Sequence, residues 1–376
     1  MHIAIIGAGM GGLAAALGLQ RAGLEVSVHE QAPEFSEVGA GLTLAPNAMR
    51  VCQHLGIDER LLDIGVAPVL AAMKHYETGE TLLSRERARV VEEQYGAPYI
   101  QIHRADLHNA LLDSVKANDP SCLHLNHTFE RLTQQADKVV LAFRNGDTVE
   151  ADAVVGADGV RSQVRGELFG SGDPTFTGHV AWRGLVPVNR LPEKVSPDSA
   201  VFIGPKRLIT RYYIRRRELI NVVAFARLSG WEIESWSARA DMQELLDVFS
   251  GWNSEVRMLL EALPAETCFK WALFGREPLS EWTVGRTTLL GDAAHPMLPF
   301  LGMGAATALE DGLVLARCFQ SIANPDEALA CYQRERLPRA NFIMEESARR
   351  VQQTQPDRPE FFNENEERNE ESLGLF

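Results

Sequence analysis

Six residues near the N-terminus, Gly7-Ala8-Gly9-Met10-Gly11-Gly12, follow a short apolar run, Ile3–Ile6, and precede a stretch patterned as a helix, Leu13–Arg21. This is GxGxxG set between a strand and a helix, and its chemistry is the binding of a dinucleotide pyrophosphate. The first glycine permits a tight turn, the second lets backbone approach the phosphates, and the last allows close helix–strand packing. The helix N-terminus adds free N–H groups and partial positive charge. Glu25–His29 reads as the next strand. Glu30 at its end, with Gln31 beside it, is placed to meet the ribose of an adenosine half. The unit has the roughly 30-residue length of a βαβ crossover. On its own, this fingerprint leaves FAD and NAD both open.

Two later segments also couple a buried strand to a glycine turn. Asp158-Gly159-Val160-Arg161-Ser162 follows Ala153–Val155, and Gly291-Asp292-Ala293-Ala294-His295-Pro296 follows Thr287–Leu290. Each alone is a strand-ending turn. Taken in this order and at these separations, the three segments make the chain resemble the group A flavoprotein aromatic hydroxylases over nearly its whole length. Within them it is most similar to the branch of salicylate hydroxylase and 6-hydroxynicotinate monooxygenase.

The resemblance implies bound FAD, NAD(P)H as a transient co-substrate, and O2. The reaction it implies is hydroxylation of a small aromatic acid or phenol through a C4a-hydroperoxyflavin. Asp292 is then expected at the ribityl chain, and Arg104 at the FAD phosphates or ribityl oxygens. The Asp158-Gly159 turn is expected on the pyrophosphate side, with a link to nicotinamide use. Pro299-Phe300-Leu301-Gly302-Met303-Gly304-Ala305 matches the loop against the isoalloxazine, so Pro299, Gly302, Gly304 and Ala305 join the cofactor set. A helix beginning near Ala305 would aim N–H groups at the flavin edge that carries negative charge when reduced. Relatives often place glutamine where this chain has Met303.

For the substrate, the resemblance points to Thr43, Tyr212, Pro299 and Phe300, with Trp182, Arg183 and Arg211 as further members. Tyr212 and Thr43 are the catalytic candidates. Either arginine offers a bidentate clamp for a carboxylate. Relatives acting on 6-hydroxynicotinate carry histidine at the positions of Thr43, Leu208 and Phe300, which implies a different substrate here. An epoxidase or antibiotic-modifying monooxygenase on the same scaffold shares these motifs. An NAD-dependent dehydrogenase shares only the first glycine turn.

Positioning these residues calls for an α/β fold. The expected arrangement is a Rossmann-like FAD-binding domain of the p-hydroxybenzoate hydroxylase type, with a smaller β-sheet substrate domain and a C-terminal helix. Its expected parts are 1–72, 98–176 and 276–352 for FAD, 73–97 and 177–275 for substrate, and an acidic tail over 353–376. Ala45–Leu62, Arg104–Ala117, Asp241–Leu263 and Gly304–Phe319 read as helices. Leu70–Val90 reads as a strand-like excursion into the second domain. Val139–Phe143 and Thr148–Val155 read as a hairpin about Asn145-Gly146-Asp147. Leu208–Ile214 and Leu219–Phe225 form another, with Arg215-Arg216-Arg217 at its tip. On that strand Leu208, Thr210, Tyr212 and Ile214 share one face.

A chain of 376 residues exceeds what one core usually organises. Its net charge of −14 opposes nucleic-acid and anionic-membrane partners. Five cysteines without CxxC spacing suggest neither a disulfide framework nor a metal site, and a reduced, cytoplasmic protein. A monomer or homodimer is expected.

Overall fold

The computed structural model describes residues 1–35, 39–170, 172, 174–228 and 238–353. The expected tail from residue 354 onward lies outside the described residues.

Ile3, Ala4, Ile5 and Ile6 are all buried, as a strand covered on both faces requires. Their strand, His2–Ile6, pairs in parallel with Glu25–His29 on one side and Ala153–Gly156 on the other. Thr287–Leu289 and Leu123–His124 extend the sheet in parallel, and Thr283–Val284 closes one edge antiparallel, giving six strands. The helix Met10–Arg21 packs on both Gly304–Ser321 and Arg104–Asn118. Three widely separated stretches therefore build one lobe.

The second sheet has seven strands. Its order is Phe269–Gly275, Thr175–Pro187, Leu219–Arg227, Arg207–Ile214, Ser199–Gly204, Leu70–His75 and Thr81–Glu86. Leu70–Val90 contributes the last two strands and then the helix Ala88–Tyr95. Period-two alternation sorts this sheet into two faces. Ile209 and Tyr213 join Trp182 and Phe202 in a core beneath the helices Met242–Val248 and Ser254–Ala262. Leu208, Phe225 and Trp271 instead cluster with Leu298, toward the first lobe.

The lobes are tied by ion pairs at the hairpin tip. Arg215, Arg216 and Arg217 all take positive φ, of 47°, 51° and 67°. Arg215 grips Asp106 with two hydrogen bonds of 2.8 and 2.9 Å, and Arg216 reaches Asp63. Arg215 and Arg216 thus form a clasp between lobes, while Arg217 pairs with Asp198 beside its own sheet.

Glycine breaks two of the expected helices. Ala45–Leu62 becomes Pro46–His54 and Asp58–Ile64, separated at Gly56, where φ is +58°. Asp241–Leu263 becomes Met242–Val248 and Ser254–Ala262. The second arm of the 139–155 hairpin also divides. Thr148–Ala151 stays antiparallel to Val139–Phe143, whereas Ala153–Gly156 enters the parallel sheet. The helix Pro325–Gln353 closes the described chain, and no helix among the described residues is long and apolar enough to cross a membrane. It brings Cys331 and Glu335 to Cys318, their ligand atoms within 4.8 Å of one another, a meeting that the sequence spacing did not signal.

Candidate active site

The glycine turn divides its labour as the fingerprint predicts. Gly7 adopts φ +103°, and a side chain on Gly12 would place its Cβ 2.1 Å from the Gly7 carbonyl oxygen. Gly9 differs: a Cβ there meets nothing within 4 Å, and Gly9 lines a cavity of about 660 Å³. Gly7 and Gly12 therefore shape the turn, while Gly9 leaves room for a ligand. Glu30 accepts the N–H of Ala8 and of Ala32, each at 2.9 Å, so it also braces the turn beside the cavity. Neither Glu30 nor Gln31 is among the cavity-lining residues.

Arg104 opens its helix with its N–H donating to Ala40 O at 2.8 Å, and its side chain lines the cavity. Asp292 is exposed and lines it too, and its carboxylate makes no hydrogen bond to a described residue. Asp158 behaves otherwise. Its carboxylate accepts from Ser162 Oγ and from the N–H groups of Gln163 and Val164, and so caps the helix Gln163–Phe169. Burial pushes its pKa up, and these hydrogen bonds oppose the rise. Gly159, not Asp158, is the part of that turn at the cavity wall.

Gly302 takes φ +65° and turns the chain into a helix that starts at Gly304. Met303 precedes it without a side-chain cap and is buried in the core. The first N–H groups of the helix therefore keep no side-chain partner, and Gly304 and Ala305 line the cavity with Pro299 and Phe300. An open Gly9, an unpartnered carboxylate at Asp292, a cation at Arg104 and this helix terminus together fit an extended dinucleotide.

Behind the Gly291-Asp292 turn lies a buried network that sequence reasoning missed. Asp311, fully buried, accepts from His295 Nε2 at 2.5 Å, Arg336 Nε at 2.7 Å and the Gly291 N–H at 3.1 Å. Burial alone would raise its pKa, but His295 and Arg336 outweigh it and hold the value at about 2. Arg336 also pairs with Glu310 at 2.8 Å, and Glu310 with Arg339 at 3.0 Å. His295 is thereby a structural support of the turn.

The opposite wall belongs to the seven-stranded sheet. Leu208, Thr210 and Tyr212 face the cavity from one strand, with Val223 and Phe225 from its neighbour. Burial, with Tyr99 nearby, pushes the Tyr212 hydroxyl well above its ordinary pKa. It is therefore a neutral hydrogen-bonding group near pH 7 and not a base. Thr43 and Arg183 also line the cavity, the guanidinium of Arg183 lying 5.2 Å from the Trp271 ring.

Arg211 does not belong here. The alternation that aims Tyr212 inward turns Arg211 to the other face. There it is fully buried and holds Glu255 through Nε at 2.9 Å and Nη2 at 2.6 Å. Trp182 likewise lies in the core on that far face. The structure adds Tyr99, Gln101 and Ser199 to the cavity wall. Of these only Gln101 had a sequence signal, the alternation Ile100-Gln101-Ile102-His103.

A family model for the FAD binding domain matches residues 1–347. The 3-amino-4-hydroxybenzoate 2-monooxygenase of Streptomyces platensis is 39% identical over 351 residues, covering 93% of this chain and 87% of the relative. The 6-hydroxynicotinate 3-monooxygenase of Pseudomonas fluorescens is 35% identical, covering 91% and 89%. Among solved structures, the Klebsiella pneumoniae protein HpxO complexed with FAD and uric acid superposes with a TM-score of 0.86 at 25% identity, covering 100% of this chain and 92% of that one.

Proposed function

The chain belongs to the FAD binding domain family and is an FAD-dependent aromatic monooxygenase, and from that premise we propose that it hydroxylates a small hydroxylated aromatic acid held between Tyr212 and the loop at residues 299–305. One observation carries this reading. A single cavity is lined by Gly9, Arg104 and Asp292 together with Leu208, Tyr212 and Phe225, so cofactor and ring share one chamber. A dehydrogenase with only the glycine turn in common is set aside by the family match over 1–347.

Bound FAD supplies acceptance of hydride from NAD(P)H and activation of O2. The protein's part is to bind, orient and exclude water. Asp292, Arg104, Gly9 and the Gly304 helix terminus hold the dinucleotide, with Glu30 bracing the turn. The Asp158-Gly159 turn borders the same cavity, where the nicotinamide nucleotide docks transiently. Leu208, Val223, Phe225 and Trp271 exclude water from the ring, and the Tyr212 hydroxyl fixes the phenolic oxygen. Arg183, held against Trp271, takes the carboxylate. We further place the enzyme in the cytoplasm as a monomer or homodimer; five reduced cysteines, four of them buried, support that compartment.

Replacing Tyr212 by Phe tests the orienting role. Loss of one hydrogen bond to substrate is expected to raise the apparent dissociation constant by up to about tenfold. It should also divert NAD(P)H oxidation from product to hydrogen peroxide. A Y212F enzyme with unchanged affinity and full coupling would remove Tyr212 from the mechanism.

A further inference from the structure

Gln101 stands on the strand Ile100–His103, whose Ile100 and Ile102 enter the core of the dinucleotide lobe. Period two therefore sends Gln101 toward the seven-stranded sheet. It is 2% exposed and lines the cavity. Its Nε2 donates to Ser199 Oγ at 3.2 Å, while its Oε1 has no hydrogen-bond partner. A buried carbonyl oxygen left unpaired costs free energy that a donor from a ligand restores.

Its neighbours say where that ligand lies. Ser199 is the direct cross-strand partner of Tyr212, and Thr43 is that of Gln101. The Tyr212 ring presses on Gly41, two residues from Thr43, so closely that a Cβ on Gly41 would lie 2.7 Å from Tyr212 Cε2. The buried side chain of Asn221, opposite Tyr212 on the next strand, secures Gly41 by accepting its N–H at 2.7 Å. The phenol and the carboxamide thus reach the cavity beside Thr43 from facing walls, one with a hydroxyl and the other with an unpaired acceptor.

We propose that Gln101 Oε1 accepts a hydrogen bond from a second donor on the ring, an amino or hydroxyl group adjacent to the phenolic oxygen that meets Tyr212. The substrates selected are then acids of the ortho-aminophenol or catechol type, in preference to monohydroxylated ones. This rests on the aromatic-hydroxylase reading and adds to it a determinant of specificity.

The test uses the oxidised FAD-loaded enzyme and follows the flavin absorbance change on titration with matched ligands. The pairs are 4-hydroxybenzoate against 3-amino-4-hydroxybenzoate, and 2-hydroxybenzoate against 2,3-dihydroxybenzoate. Wild type is expected to bind at least one donor-bearing member about tenfold more tightly than its partner. Gln101→Met, close in shape but without the acceptor, should erase that preference while keeping flavin content, and Gln101→Glu should retain it. Equal weakening of every ligand by Q101M would make Gln101 a tie between the lobes and overturn the proposal. So would a wild type without preference. If no ligand perturbs the flavin or stimulates NAD(P)H oxidation, the proposed substrate class of small hydroxylated aromatic acids itself falls.

Discussion

Gly12→Ala is expected to destabilise the protein by roughly 3 kcal/mol and to abolish flavin retention, whereas Gly9→Ala leaves the apoprotein as stable as wild type. The contrast follows from where each new methyl lands. At Gly12 the Cβ meets a backbone carbonyl oxygen at 2.1 Å, and that oxygen belongs to Gly7, whose φ of +103° fixes the turn. Backbone cannot step aside as a flexible side chain can. At Gly9 the conformation, φ −71° and ψ 178°, suits alanine, and the Cβ has no protein neighbour within 4 Å. Its cost appears only when the pyrophosphate must approach, as an FAD affinity lower by about tenfold or more. Denaturant melts of the apoproteins beside FAD titrations separate the two. A Gly9→Ala protein that binds FAD normally would show that the phosphates pass elsewhere.

Asp311→Asn is expected to cost about 3–5 kcal/mol, the usual penalty for breaking a buried ion pair from one side. The side chain hardly changes in size, but the charge facing His295 and Arg336 vanishes, and both of those groups are buried. Glu310 still meets Arg336, so the network is weakened and not emptied. Because Asp311 also holds the Gly291 N–H, the turn presenting Asp292 loosens as well. The urea midpoint and the flavin content of purified protein should therefore fall together. Normal stability in D311N would contradict the assignment of this network as the support of the cofactor turn.

The glycine turns beside the cavity were legible because they act through backbone geometry, whereas Glu30, Gln31 and Asp158, expected at the cofactor, do not line the cavity. Glycines at fixed spacing after a buried run leave a signature in any single sequence, and Gly7, Gly9, Gly12 and Gly291 stand where that signature puts them. The substrate half depends on which face of a strand looks at which neighbour. Alternation within Leu208–Ile214 placed Tyr212 correctly in the cavity. The same alternation excludes Arg211, whose charge suggested a clamp but whose odd position sends it to Glu255. Ser199 reaches the wall, and Asn221 reaches Gly41 behind it, through long-range strand pairing, which no local pattern encodes. The ion-pair network was hidden for the same reason, since His295, Asp311 and Arg336 come from a turn and two different helices. Helix ends failed at Gly56 and Gly251, where a left-handed residue ends one helix and starts the approach to another.

The central claim is that one cavity brings an aromatic acid to a flavin that activates oxygen. Its most direct test is turnover of the FAD-loaded enzyme under 18O2 with NAD(P)H and the hydroxybenzoate or amino-hydroxybenzoate that stimulates oxidation most. The account predicts a ring-hydroxylated product carrying one 18O atom, formed in proportion to the NAD(P)H consumed. Product oxygen drawn from water, or NAD(P)H oxidation yielding only peroxide with every aromatic acid, would contradict it.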